Sequence, residues 1–432
     1  MSDFQTSDQR TADRRTILKT GVAAAAALPF ASQAQVGGSD ELKVATIGCG
    51  GRGRGATAQT LAVPGTKLVA VADAFRERAE AAVSSFRQQF ADRVDLPADR
   101  IYDGFDAYRA AIDAADVVIL ATTPGFRPQH FEYAVEQGKH VFMEKPIATD
   151  APGVRQVLAA AKKADEKGLK VVCGLQRHYE PKYIETLAKV KEGIIGEITH
   201  GQVYWNSGGV WVRKRAKGMT EMEYQMRNWY YFNWLSGDHI VEQHVHNIDV
   251  MNWFKGAHPV KAQGMGGRQV RKGPDHGEIF DHHAVEFTYA DGTVMNSHCR
   301  HQRKTLNRVT EIIGCQKGKA EPGKIVDSKG KTLWRYRGKD DKSPYQIEHD
   351  KLYEHIREDK PLNDAYYTAH STMTAILGRM ATYSGQEIKY DEALEKGLSI
   401  MPETFAWDAD PGPKPGPNGI YPCPIPGKHR VM

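Results

Sequence analysis

Leu42-Lys43-Val44-Ala45-Thr46-Ile47-Gly48-Cys49-Gly50-Gly51-Arg52-Gly53 decides the fold. A short apolar strand runs into a glycine-rich turn, and the stretch Thr57–Val63 behind it reads as a helix. A second apolar strand, Lys67–Ala72, follows, and Asp73 ends it 20 residues beyond Gly53. A GxGxxG alone is weak; between a strand and a helix, with an acid at that distance, it is a dinucleotide fingerprint. Gly48 permits the tight turn, Gly50 lets the backbone approach a pyrophosphate, and Gly53 lets the helix close on the strand. Gly51 and Arg52 complete a loop that leaves the diphosphate at a helix N-terminus, where free amides favour negative charge. A carboxylate at Asp73 accepts hydrogen bonds from the adenine ribose and repels a 2′-phosphate, so NAD is expected over NADP. Arg76 and Arg78 keep NADP open.

Working outward, the alternation continues through helices 76–90 and 107–114, strand 117–121, helix 128–137, strand 140–143, helix 153–167 and strand 170–174. That order predicts a parallel, doubly wound sheet, a Rossmann domain over 42–174. After a helix at 181–192 the texture changes to longer strands with period-2 alternation, at 198–205, 284–289 and 293–298. Helices at 245–254 and 365–383 accompany them. The fold class is therefore α/β, with a C-terminal α+β domain over 175–395 built on an open, mostly antiparallel sheet. The Pro- and Gly-rich residues 396–432 read as an extended C-terminal arm.

The N-terminus carries Asp13-Arg14-Arg15-Thr16-Ile17-Leu18-Lys19, a short Ala-rich apolar segment, and Ser32-Gln33-Ala34. This pattern reads as a Tat signal over 1–34 and predicts a periplasmic protein, with no membrane association once the segment is removed. The formal net charge of +5 is scattered, with no basic run to follow a phosphate backbone, so nucleic acid is not an expected partner. Five dispersed cysteines without a CxxC pair give neither a disulfide framework nor a zinc spacing.

The next constellation is Gly138-Lys139-His140-Val141-Phe142-Met143-Glu144-Lys145-Pro146. Glu144 and Lys145 fall at the carboxyl end of a parallel strand, where open α/β sheets bind ligands. A lysine there can bond a substrate hydroxyl and help remove its proton; a surface ion pair is the plainer alternative. The candidate cofactor contacts of this half are Thr122, Thr123, Pro124, His130, Glu144 and Lys145.

With Ala121-Thr122-Thr123-Pro124, Gly193-Ile194-Ile195-Gly196-Glu197-Ile198 and His246-Asn247-Ile248-Asp249, the sequence resembles the glucose–fructose oxidoreductase/inositol dehydrogenase (Gfo/Idh/MocA) family over almost all of 42–395. The resemblance implies a C-terminal sheet that covers the nicotinamide and forms homo-oligomers. It also implies sugar or cyclitol substrates, and a cofactor that several members keep bound between turnovers. Lys145 falls on the family's catalytic lysine and His246 on its substrate-facing histidine. The chain departs from the pattern at Glu242 and His244, where aspartate and glycine are usual.

On the substrate side, Arg177 and His178 suit sugar hydroxyls or a carboxylate. Trp205, Asn206, Trp211, Arg213 and Trp229 suit a pyranose, with apolar C–H faces and a polar rim; about half of such aromatics are expected to be core or interface instead. His244 and His246 join this substrate set. Glu242-x-His244-x-His246 raises a metal hypothesis, but residues spaced by two share no helix face, and a histidine cluster without metal is the expectation. The catalytic set is Lys145, His246, His178 and Glu242. The expected activity is hydride removal from a secondary hydroxyl of a sugar or glycoside, C3 being a candidate, with an internally recycled cofactor. Two alternatives stand beside it: a redox-assisted glycoside hydrolase, and a non-catalytic sugar-binding protein that keeps its cofactor.

Overall fold

The computed structural model describes residues 41–339 and 341–432. The segment expected to direct export lies outside them. Strand β1 (Leu42–Ile47), helix α1 (Gly51–Leu61), β2 (Thr66–Asp73), α2 (Arg76–Gln89), β3 (Ile101–Asp103), α3 (Ala107–Asp113), β4 (Val117–Leu120), α4 (Arg127–Glu136), β5 (His140–Met143), α5 (Ala151–Glu166) and β6 (Val171–Cys173) build the first sheet and its helices. All pairs are parallel in the order β3-β2-β1-β4-β5-β6. Val44, Ala45, Val117, Val118, Ile119 and Leu120 are fully buried, as central strands covered by helices on both faces must be. The order in which strands are added switches sides between β1 and β4, and a crevice opens at their carboxyl ends.

The second half holds α6 (Pro181–Lys191), β7 (Ile198–Ser207), α7 (Glu221–Arg227), α8 (Asn233–Ser236), α9 (His239–Glu242), α10 (Val245–Lys255), β8 (Lys261–Gly267), β9 (His282–Thr288), β10 (Val294–His301), β11 (Arg308–Cys315), β12 (Gly318–Glu321), β13 (Lys324–Asp327) and β14 (Thr332–Arg335). Helices α11 (Pro344–Arg357) and α12 (Ala365–Ser384), the short β15 (Ile388–Lys389) and α13 (Tyr390–Lys396) complete it. The nine strands run β14-β13-β12-β11-β7-β10-β9-β8-β15, antiparallel except for β7 beside β10. One cross-strand row, Gly264–Val285–Ser297–Val203–Glu311, lies on the face turned to α10 and α12. The next, Met265–Ala284–His298–Tyr204–Thr310, is turned outward, with Met265 78% exposed. Period-2 alternation appears because only one face of this sheet is packed.

Two segments depart from a simple succession of domains. Helix α11 returns to the first sheet, where Leu352 and Tyr353 pack with Val44, Phe142 and Val172, and Asn363 bridges to Val171. Residues 396–432 are irregular in backbone but docked rather than extended freely. Phe405 and Trp407 pack with Phe75, Phe105 and Phe126, and Tyr421 is buried against Phe232. Proline and glycine suppress regular structure there, while the aromatics still anchor the segment. Among the described residues, no helix is long and apolar enough to cross a membrane.

Candidate active site

Each glycine of the fingerprint meets a different constraint. Gly48 has φ +95°, and a Cβ there would stand 2.5 Å from the backbone of Ala121 and Thr122. A Cβ on Gly53 would lie 1.8 Å from the Gly48 carbonyl oxygen, so helix and strand touch through bare backbone. Gly50 and Gly51 have nothing within 4 Å of such a Cβ; they face open space. Gly50 caps α1 without a side-chain hydrogen bond, leaving the first-turn amides to a ligand or to water.

That space is a cleft of about 810 Å³ running from Asp73, Phe75 and Arg78, past the glycine loop, to Lys145, Trp205 and His246. Thr123 Oγ1, His130 Nε2 and Gln176 Oε1, all on lining residues, are buried without a hydrogen-bond partner among the described residues. Buried polar atoms left unpaired are expensive, so the cleft is shaped for a polar guest. A dinucleotide fits: open glycines and a helix N-terminus for its diphosphate, orphaned acceptors and donors for its ribose and amide groups.

Asp73 lines this cleft while its carboxylate accepts the amides of Cys49 (2.7 Å) and Phe75 (3.0 Å), which fixes the loop. Burial pushes its pKa up, against the pull of those amides. Arg78 stands beside it, and Arg54 and Arg213 also line the cleft. Arg76, considered above for a 2′-phosphate, turns away and pairs with Glu80 (2.8 Å). Arg52 lies in the cleft wall, bonded to Glu144, Glu348 (3.1 Å) and Gln59 (3.0 Å) and set over the Tyr345 ring (4.9 Å). It ties α1 to the end of β5 and to α11. Thr122, Thr123, His130, Glu144 and Lys145 line the cleft; Pro124 is buried behind it at the start of a short turn.

At the other end, the Lys145 ammonium donates to the Glu242 carbonyl oxygen (2.6 Å) and to its Oε1 (3.0 Å), each side chain 13% exposed. Glutamate in place of the usual aspartate therefore reaches the lysine itself. His246, in the first turn of α10, stacks near Trp205 (6.0 Å), and its Nδ1 is buried without a partner among the described residues. Burial, reinforced by the Lys145 and Arg177 charges, holds its pKa well below the usual imidazole range, so the ring is neutral. Gln176, Gln243 and Tyr345 also line this end and were not singled out from sequence.

Several expected site residues sit elsewhere. Arg177 is bonded to Glu311 on the inner face of the second sheet. His178 Nε2 donates to Asp249 Oδ2 (2.8 Å), and the ring is sandwiched between Trp253 (4.0 Å) and Tyr367 (4.1 Å). His244 is fully buried against Ser297 (2.8 Å). Asn206 is paired in β7 between β10 and β11 and does not line the cleft. None of these four lines the cleft, contrary to the catalytic and substrate contacts expected of them from sequence. Trp205, Trp211, Arg213 and Trp229 do line the cleft. Arg213 and Arg227 both act on Arg78, and Arg227 crosses to Glu77 (2.8 Å) and the Phe75 ring (4.0 Å) at the Asp73 end. Trp211 and Trp229 run from there toward Tyr230 (6.4 and 5.4 Å). Glu242, His244 and His246 do not converge on one point: Glu242 meets Lys145, His244 meets Ser297, and His246 Nδ1 has no partner among the described residues; among those residues, the group whose ligand atoms do converge is Asp238, His239 and His283.

A model described as "Oxidoreductase family, NAD-binding Rossmann fold" matches residues 42–172, and one described as "GFO/IDH/MocA C-terminal domain" matches residues 183–321. A glycosyl hydrolase family 109 protein of Bacteroides fragilis is 28% identical over 183 residues, 39% of this chain and 38% of that protein. An inositol 2-dehydrogenase of Rubrobacter xylanophilus is 28% identical over 262 residues, 59% of this chain and 64% of its own. The chain thus spans under two thirds of these relatives' lengths. The solved structure of an aldose-aldose oxidoreductase from Caulobacter crescentus overlays with a TM-score of 0.64 at 18% identity, over 81% of this chain and 99% of that one.

Proposed function

Because the chain belongs to the Gfo/Idh/MocA family of NAD-binding oxidoreductases, we propose that it oxidises a secondary hydroxyl of a sugar or glycoside at the Lys145 end of its cleft. Bound NAD supplies the hydride acceptor. The observation that carries this reading is the meeting of Lys145, Glu242 and neutral His246 at one end of a cleft whose other end is an open glycine loop. The Lys145 amine, relieved of one proton by the neutral His246 imidazole, takes the proton of the substrate hydroxyl as the carbon gives up hydride. Glu242 keeps the lysine aimed and balances its charge. Trp205 gives the sugar ring an apolar face, and Gln176 and Gln243 offer amide groups to its hydroxyls.

We propose further that the cofactor stays bound and is recycled within the site. Arg227 bridging to Glu77, and the wall of Phe75, Phe105 and Phe126 backed by Phe405 and Trp407, support retention at the Asp73 end. The likeness to family 109 hydrolases supports a second reading of the same site, redox-assisted cleavage of a glycoside after oxidation at C3, with Glu242 as acid or base. The twin-arginine segment supports export to the periplasm, and the outward row of the second sheet supports a homo-oligomer. Mass spectrometry of the purified protein should find NAD, and a panel of sugars and glycosides should reduce it. Aglycone release distinguishes the hydrolase; a protein without nicotinamide that reduces none when loaded overturns both readings. Replacing Arg14 and Arg15 with Lys should hold the protein in the cytoplasm, and efficient export of that variant would contradict the Tat reading.

A further inference from the structure

Asp238 adopts φ 70°, ψ 164°, a region of backbone space that is essentially reserved for glycine. It follows Gly237, itself left-handed at φ 78°. The side chain is fully buried, and its carboxylate accepts five hydrogen bonds. Oδ1 takes the His239 amide (2.5 Å) and His239 Nδ1 (2.7 Å); Oδ2 takes the Phe280 amide (3.0 Å), His283 Nε2 (3.2 Å) and the Tyr383 hydroxyl (2.6 Å). Such strain persists only where surrounding contacts over-determine it.

What the strain achieves is visible four residues on. Asp238 starts α9, and its carbonyl oxygen accepts the amides of Val241 (3.0 Å) and Glu242 (2.9 Å). Glu242 supplies both acceptors of the Lys145 ammonium. A second tie comes from β10. Arg271 donates to His301 Nδ1 (2.6 Å), so the ring must carry its hydrogen on Nε2 and donate it to Gln243 Oε1 (2.7 Å). The His239 ring, held by Asp238, stacks on His301 at 4.6 Å. The Glu242-Gln243 pair at the cleft is therefore gripped through the chain and through the histidine stack, and Asp238 anchors both grips.

We propose that Asp238 is a positioning residue: its strained backbone and fully bonded carboxylate fix α9 so that Glu242 aims the Lys145 ammonium into the cleft. This rests on the reading of Lys145 as the proton-transferring group, yet its test has a readout that needs no turnover. Competitive acylation with acetic anhydride, quantified by peptide mass spectrometry, reads how freely the Lys145 amine is offered, with exposed Lys43 as internal reference. In Asp238→Asn the side chain keeps its shape but turns an amide donor toward its former donors. Lys145 labelling relative to Lys43 should rise several-fold, bound NAD should match the unmodified protein, and kcat should fall by roughly 10–10²-fold with KM little changed, as for a misplaced catalytic group. If that variant does not fold, Tyr383→Phe removes one of the five donors and should move labelling and kcat the same way by less. Unchanged Lys145 labelling with only a lower melting temperature overturns the proposal. So does stoichiometric metal in the unmodified protein that Asp238→Asn loses, since the carboxylate would then be a ligand. Altered labelling in a protein that turns over no sugar leaves the positioning intact and sinks the proposed reaction instead.

Discussion

Alanine placed singly at Gly51 and at Gly53 should separate binding from folding, because the two positions face opposite surroundings. At Gly53 the new methyl would begin 1.8 Å from the Gly48 oxygen and 3.3 Å from the Ala121 Cβ. Gly48 cannot easily yield: its φ is +95° and its amide is bonded to the Ala72 carbonyl at 2.8 Å. Overpacking against backbone costs about 1–3 kcal/mol or more, which corresponds to a fall in melting temperature of roughly 1–4 °C in a chain of this size. At Gly51, by contrast, nothing lies within 4 Å, and the residue begins a helix. Alanine there should raise the stability of the NAD-free protein by about 0.4–1 kcal/mol through the unfolded chain. The same methyl stands where a diphosphate must approach, so NAD affinity should fall at least ~10-fold, about 1.4 kcal/mol. Thermal unfolding of the NAD-free variants and calorimetric titration with NAD read the two effects separately. If Gly51→Ala binds NAD with unchanged affinity, or Gly53→Ala melts normally, the geometric account of the loop is wrong.

Two further outcomes follow from the cleft. Arg227→Ala removes the bridge to Glu77; an exposed pair is worth at most about 1 kcal/mol, so bound NAD should exchange roughly 2–5-fold faster in a chase experiment, and an unchanged rate removes the clamp. Burial pushes the His130 pKa down to about 3, while the unfolded chain takes up that proton near pH 6.5. This group's stabilisation is therefore full above pH 6.5 and is lost as the pH falls toward 3, about 2 kcal/mol being gone at pH 5. His130→Gln should flatten that part of the pH–stability curve of the NAD-free protein; an identical slope would show that the ring is not held neutral.

Much of the architecture was legible because it is written locally. The apolar β1, the glycine turn and Asp73 form one short stretch, and β5 delivers Glu144 and Lys145 directly at its carboxyl end. The outer substrate set was harder. Arg177 and His178 find their partners 134 and 71 residues away, at Glu311 and Asp249. In the short turn Gln176–Tyr179, one step decides which side chain meets the cleft, and Gln176 does. Alternation carried no register across strands, so Ser297 and Glu311, which capture His244 and Arg177, could not be placed on the inner row. Gly237-Asp238 was not singled out from the sequence; only its dihedral angles and five donors reveal the anchor. Tyr345 reaches the cleft because α11 folds back onto the first domain, a long-range event no local pattern announces.

The most direct test of the central claim is the single-turnover rate of nicotinamide reduction in NAD-loaded Lys145→Ala, using whichever sugar or glycoside the unmodified protein oxidises. The account predicts intact fold and bound NAD with a rate lower by roughly 10²–10⁴-fold, the contribution of a positioned acid or base. A rate near that of the unmodified protein would contradict it and leave Lys145 as a structural partner of Glu242.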